Sequence, residues 1–177
     1  MNTRSQRGFT LIEIIVVIAI ISLLATLAFP ATSRIVQAGK AAACISNLHS
    51  LGVALQAYLG EHNQIMPPLM KAARQSTSDD VPVIDNTLNA YASDPRVFAC
   101  PADNKGIAAG TGTSYFWNSA LDGQSAAHLQ FILSTGQNSE IPVLSDKEGF
   151  HPYASNKVNL LYADGHATQD LNFVTSQ

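Results

Sequence analysis

The chain has 177 residues, of which 13% are charged and 46% apolar, with a formal net charge of −3. That length holds one ordinary domain plus a short appendage. No Lys/Arg cluster follows Arg7, so the electrostatic footprint of a nucleic-acid binder is absent from the sequence. Two cysteines, Cys44 and Cys100, are too few for a four-thiolate zinc site.

Residues 1–8, MNTRSQRG, are polar and carry Arg4 and Arg7 without an acid. The run FTLIEIIVVIAIISLLATLAF follows over residues 9–29, with Glu13 as its one charged side chain. At ~1.5 Å per residue it extends about 30 Å, the thickness of a bilayer's hydrocarbon core. Basic residues ahead of an apolar run place the N-terminus on the cytoplasmic side. Everything after about residue 30 is then expected outside the inner membrane. Thr26-Leu27-Ala28 fits a secretory cleavage site, and a plain signal anchor is a second reading. Neither explains Glu13, because a charge near the centre of a membrane helix costs about 2.5–3.5 kcal/mol on insertion scales.

Pro30 is expected to kink a helix that nevertheless continues. Ile35, Ala38, Ala42, Ile45, Leu48, Leu51, Leu55 and Tyr58 recur at spacings of three and four, which is a helical stripe. Gly60 is the expected stop, so one helix of about 75 Å is predicted from Phe9 to about Leu59. Gly39 and Gly52 are its weak points. Cys44 shares the face of Leu48, which leaves a bridge to Cys100 or two buried thiols as alternatives. His49 falls between stripe positions and is expected in solvent.

Residues 61–80, with Pro67-Pro68, read as a loop. Asp85 is expected to N-cap a short helix towards Tyr91. Thr113–Trp117 reads as a strand, and Leu129–Leu133 suits helix or strand equally. Ile141–Leu144 reads as a strand whose Pro142 favours a sheet edge. Val158–Ala163 and His166–Leu171 flank Asp164-Gly165, predicting a hairpin with a two-residue type I′ turn. Among the serines no Gly-x-Ser-x-Gly elbow occurs, nor is there a phosphate-binding glycine loop, so no enzyme is expected.

The stretch Gly8-Phe9-Thr10-Leu11-Ile12-Glu13 resembles the class III signal of type IV pilins and type II secretion pseudopilins. The resemblance implies that a prepilin peptidase cuts between Gly8 and Phe9 and N-methylates Phe9. It makes Glu13 the fifth mature residue, a register device for assembly, and puts Pro30 where many pilins kink. It implies an α+β, pilin-like fold: one long N-terminal helix packed on a small antiparallel sheet. The divisions are a leader (1–8), a transmembrane half-helix (9–29), an amphipathic half-helix (30–60) and a periplasmic globular domain (61–177).

The implied function is a structural fibre subunit, with a binding module at a fibre tip as the alternative. The implied partners are identical and related subunits, the prepilin peptidase, an inner-membrane assembly platform and the membrane, with no nucleic acid. A finer resemblance links Cys44…Asn47-Leu48, Cys100-Pro101-Ala102-Asp103, Asp146, His151 and Ala163-Asp164-Gly165-His166 to a pilin-like subfamily of planctomycetes and verrucomicrobia. Here twelve residues separate His151 from Asp164, where that pattern has nine. His151, Asp164 and His166 are expected as surface or turn groups, with a meeting around Asp146 as the alternative. Major pseudopilins carry calcium, for which Asp146, Glu148, Asp164 and Asp170 are the candidate oxygen ligands here, although no cofactor is the expectation.

Overall fold

The computed structural model describes residues 9–69, 81–131, 137–152 and 157–169, with the side chains of 27–31 outside that set. Helix α1 spans Leu11–Glu61, and short helices α2 and α3 span Ile84–Thr87 and Ile107–Thr111. Strands β1 (Tyr115–Trp117), β2 (Pro142–Asp146), β3 (Leu160–Tyr162) and β4 (Ala167–Thr168) form one antiparallel sheet in the order β1-β2-β3-β4. A long N-terminal helix followed by a small antiparallel sheet is the α+β, pilin-like layout expected from the sequence. The chain divides into two compact units, Met1–Val36 and Gln37–Gln177.

In the first unit the side chains of α1 from Leu11 to Leu24 are exposed and, apart from Glu13 and Ser22, apolar. Leu11 is 78% exposed, and Ile12, Ile14 to Ile18, Ile20, Ile21, Leu23 and Leu24 are all exposed. Among the described residues no helix is long and apolar enough to cross a membrane. The described side chains of the apolar run 9–29 end at Thr26. From Leu11 that is roughly 24 Å at ~1.5 Å per residue, against the about 30 Å of a bilayer core. The kink expected at Pro30 falls on side chains outside the described set.

In the second unit α1 buries Ala41, Cys44, Leu48, Leu51, Leu55 and Leu59. The expected stripe therefore holds from Leu48 onward but fails before it. Ile35 is 70% exposed and Ala38 and Ala42 are exposed, because Ala41 and Cys44 turn inward in their place. Helical spacing alone does not say which of two adjacent small residues faces the core. His49 is exposed.

Helix α1 packs closely on the sheet at Gly52, where a Cβ would lie 3.1 Å from Leu161 Cδ1. The sheet side of this core is Tyr115, Trp117, Val143, Leu144 and Leu161, all fully buried. Trp117 satisfies its indole by donating to Asp122 Oδ1 at 2.6 Å.

Four local expectations change. Residue 85 is not the cap of α2. Val83 holds that position, and its amide donates to the Asn86 side chain at 2.8 Å, leaving Asp85 in the first turn. Pro142 lies on an interior strand between β1 and β3, not at an edge. As the first residue of β2, beside a register shift before Leu144, it lacks an N–H that no ladder bond requires.

The β3–β4 turn is not type I′. Gly165 alone has positive φ (91°) there, its N–H donates to Tyr162 O at 2.9 Å, and Tyr162 N–H donates to His166 O at 2.9 Å. Ala163-Asp164-Gly165 is thus a three-residue loop closed by a left-handed glycine. Its expected extension to Leu171 lies outside the described residues.

Finally, residues 65–69 are not free loop. Met66 and Leu69 are buried, and Met66 exchanges backbone hydrogen bonds with Gln124 and Gly123 at 2.9 and 3.1 Å. Residues 70–80 and 132–136 lie outside the described set.

Candidate functional site

Two places carry the sequence-derived candidates. The first is the start of α1. Phe9 is 84% exposed. Thr10, immediately before the helix, forms a reciprocal cap with Glu13. The Glu13 carboxylate accepts from the Thr10 amide and hydroxyl, each at 3.0 Å, and the Glu13 amide donates to Thr10 Oγ1 at 3.3 Å. This is a Thr-x-x-Glu capping box, which satisfies two of the orphan donors at a helix N-terminus. Thr10 was not among the sequence candidates. The spacing of a hydroxyl residue three before Glu13 was the signal for it. Gly8 lies outside the described residues.

The second place is buried under the helix, where Cys44 of α1 and Cys100 form a disulfide with Cα atoms 5.0 Å apart. Local bonds hold the Cys100 segment. Asn47, one turn beyond Cys44, donates to Ala99 O at 2.9 Å, and Cys100 N–H donates to Ser114 Oγ at 3.0 Å. Asp103 accepts from the amides of Lys105, Ile107 and Ala108 and from the Ser114 hydroxyl. Burial raises its pKa, but those donors outweigh burial and hold the carboxyl below its ordinary value. The Cys-Pro-Ala-Asp segment is therefore a clasp that presents Cys100 to the helix.

Three buried polar side chains form a cluster that reaches the disulfide through His151. Asp146 ends β2. Its amide donates to Asn159 O at 3.0 Å, and the Asn159 amide returns to Asp146 Oδ2 at 2.7 Å. The same Oδ2 lies 3.1 Å from His151 Nε2. That ring nitrogen also lies 2.8 Å from Asn159 Nδ2 and 3.8 Å from Cys100 Sγ. His151 is 3% exposed, Asp146 4% and Asn159 0%.

Burial pushes the Asp146 carboxyl up to about 7, against the opposing pull of the Asn159 amide, and pushes His151 down. His151 is thus a core group, not the surface group expected, and it meets Asp146 as the alternative reading had it. Asp164 and His166 do not join them in any metal-competent group of the described residues. They form a separate exposed pair on the hairpin, with Asp164 Oδ1 2.5 Å from His166 Nδ1.

The calcium candidates are dispersed in role. Asp146 is engaged by Asn159 and His151, Glu148 pairs with Lys105, Asp164 is held by His166, and Asp170 lies outside the described residues.

The class of signal at the N-terminus is defined by comparison as well as by spacing. Residues 3–29 match the prokaryotic N-terminal methylation motif. That motif is the signature of type IV pilins and pseudopilins, and here it begins in the basic leader and ends one residue before Pro30. Comparison with curated proteins and with solved structures gave no significant match.

Proposed function

We propose that this chain is a structural subunit, a pilin or pseudopilin, of a type II secretion or type IV pilus-like fibre. The match of residues 3–29 to the methylation motif carries the reading. In this reading a prepilin peptidase removes residues 1–8 and methylates the new amino group of Phe9. The apolar face of α1, open along Leu11 to Leu24, holds the subunit in the inner membrane with its N-terminus cytoplasmic and its C-terminal domain periplasmic. The same side chains then pack against those of neighbouring subunits as the assembly platform draws the chain into the fibre. Assembly exchanges lipid for protein around an apolar helix, so packing and polar pairing decide it. Glu13 is the one charge in that surface, and a neighbouring Phe9 ammonium is its natural partner.

Intact-mass measurement and N-terminal sequencing of the protein from native membranes test the reading. A chain beginning at N-methylated Phe9 is expected. A chain beginning at Met1, or at Phe29 after cleavage behind Ala28, defeats it.

A further inference from the structure

The buried cluster at the disulfide has more polar atoms than partners. His151 Nδ1, Asp146 Oδ1 and Asn159 Oδ1 are all buried without a hydrogen bond. Orphaned atoms at this depth each cost free energy, so the cluster is under-satisfied as it stands. The ligating atoms of Cys44, Cys100 and His151 all lie within 4.8 Å of one another. Thiolate, thiolate and imidazole are the donors of tetrahedral zinc-type sites.

We infer that the dithiol form of this chain binds one thiophilic divalent cation of the zinc class through Cys44, Cys100, His151 and Asp146. Bond lengths test the fit. With about 2.3 Å to sulfur, about 2.0 Å to nitrogen or oxygen and tetrahedral angles, ligand atoms sit about 3.5 Å apart for S···N and about 3.3 Å for N···O. Here Cys100 Sγ and His151 Nε2 are 3.8 Å apart, and His151 Nε2 and Asp146 Oδ2 are 3.1 Å apart. The sulfurs must separate, to about 3.8 Å by the same arithmetic, which opening the disulfide permits. The Asp146 carboxylate must close on them, since among the described residues only Cys44, Cys100 and His151 now lie mutually within 4.8 Å.

The ion would turn His151 from an acceptor of the Asn159 amide into a metal ligand. A groove lined by Ala38, Ala41, Ala42, His151, Pro152 and Thr168 reaches the histidine and supplies an entry path.

Bridge and ion are mutually exclusive. Every chain is synthesised with two thiols. Metal binding releases two thiol protons to solvent and places two thiolates on the cation. Bridge formation instead passes two electrons to a disulfide oxidant, which leaves as two thiols. A bound ion therefore holds the cysteines reduced until it is removed, and the closed bridge excludes the ion.

The test uses the full chain in detergent micelles under anaerobic conditions. A phosphine reduces the bridge, with water supplying the oxygen of the phosphine oxide and the protons of the two thiols. Cobalt(II) is then titrated in, followed by zinc(II). One cobalt per reduced chain is expected, with a thiolate charge-transfer band and intense tetrahedral d–d bands, displaced by one equivalent of zinc. The oxidised chain should show neither band. His151→Ala and Asp146→Asn should each weaken zinc binding at least tenfold.

Cobalt that binds without the charge-transfer band, or zinc that binds equally well to both variants, overturns the four-ligand site. Should the variants not fold, cadmium-113 bound to the wild-type reduced chain decides the matter. A one-bond coupling to the His151 Nε2 nitrogen is expected, and its absence overturns the proposal.

Discussion

The Glu13 carboxylate accepts from the backbone amide and the hydroxyl of Thr10, each at 3.0 Å, so the one acid of the apolar run caps its own helix. Glu13 thus has a role within one subunit before any neighbour arrives. A cap and a register device predict different pairs of mutants. Thr10→Ala removes half of the capping box but leaves the acid, so it should speed amide exchange in the first turn several-fold and still assemble into fibres. Glu13→Ala should be processed normally yet fail to enter fibres. Equal assembly defects in the two variants would make capping the whole of Glu13's contribution, and normal fibres from Glu13→Ala would remove its assembly role.

The disulfide ties α1 to a segment 56 residues away. Chain-entropy reasoning puts a cross-link over such a loop at about 4 kcal/mol of stability. The Cys44→Ala/Cys100→Ala chain should therefore unfold at markedly lower denaturant concentration than the oxidised wild type. Asn47→Ala, which loses one bond to Ala99, should cost only about 1 kcal/mol. Equal midpoints for the double mutant and the oxidised wild type would show that the bridge adds nothing to stability.

A Cβ at Gly52 would press on Leu161 of the sheet, while Gly39 has nothing within 4 Å of its absent side chain. Gly39→Ala should raise stability by up to about 1 kcal/mol, the helix-propensity difference. Gly52→Val must push its γ carbons into a fully buried leucine and should cost roughly 1–3 kcal/mol. Urea unfolding of both variants measures the contrast. If the two shift stability in the same direction, the helix–sheet contact is looser than described.

Asp146 and His151 give the stability a pH dependence whose sign follows from burial. The folded carboxyl titrates at about 7 and the unfolded one near 3.8. Between those values the folded chain keeps a proton that the unfolded chain has released, so this group's contribution to stability falls as pH rises through the window. His151 acts oppositely. Its folded value lies below 6.5, so its contribution is lost as pH falls below 6.5. Asp146→Asn deletes the first effect. The stability of wild type relative to that variant should decline from about pH 5 to about pH 7, by no more than roughly 1.4 kcal/mol per pH unit. Denaturant titrations of both oxidised proteins across that range provide the check, and a flat difference would contradict the assignment.

The N-terminal signal and the long helix were legible in the sequence because both are local. The run from Phe9 to Phe29, Glu13 within it, and the stripe Leu48-Leu51-Leu55 depend only on spacing along one chain segment. Thr10 was legible too, through the capping-box spacing to Glu13, although it is the structure that shows the bonds.

The rest depended on which segments pack together. Pro142 was misplaced at an edge because strand order is set by pairing across the sheet, where β3 covers its second side. The Asp-Gly turn took a three-residue form because the register of Leu161 with Ala167 places Tyr162 opposite His166. His151 read as a surface group, since nothing in its own neighbours tells of burial. It lies in the core because the β2–β3 pairing brings Asp146 and Asn159 together beside Cys100, and Cys44 arrives from a helix that passes 56 residues earlier. Charge, period and processing signal are properties of a segment, so the sequence by itself determined them. The buried cluster is a meeting of four segments, and only tertiary packing, which decides what each polar atom faces, could assemble it.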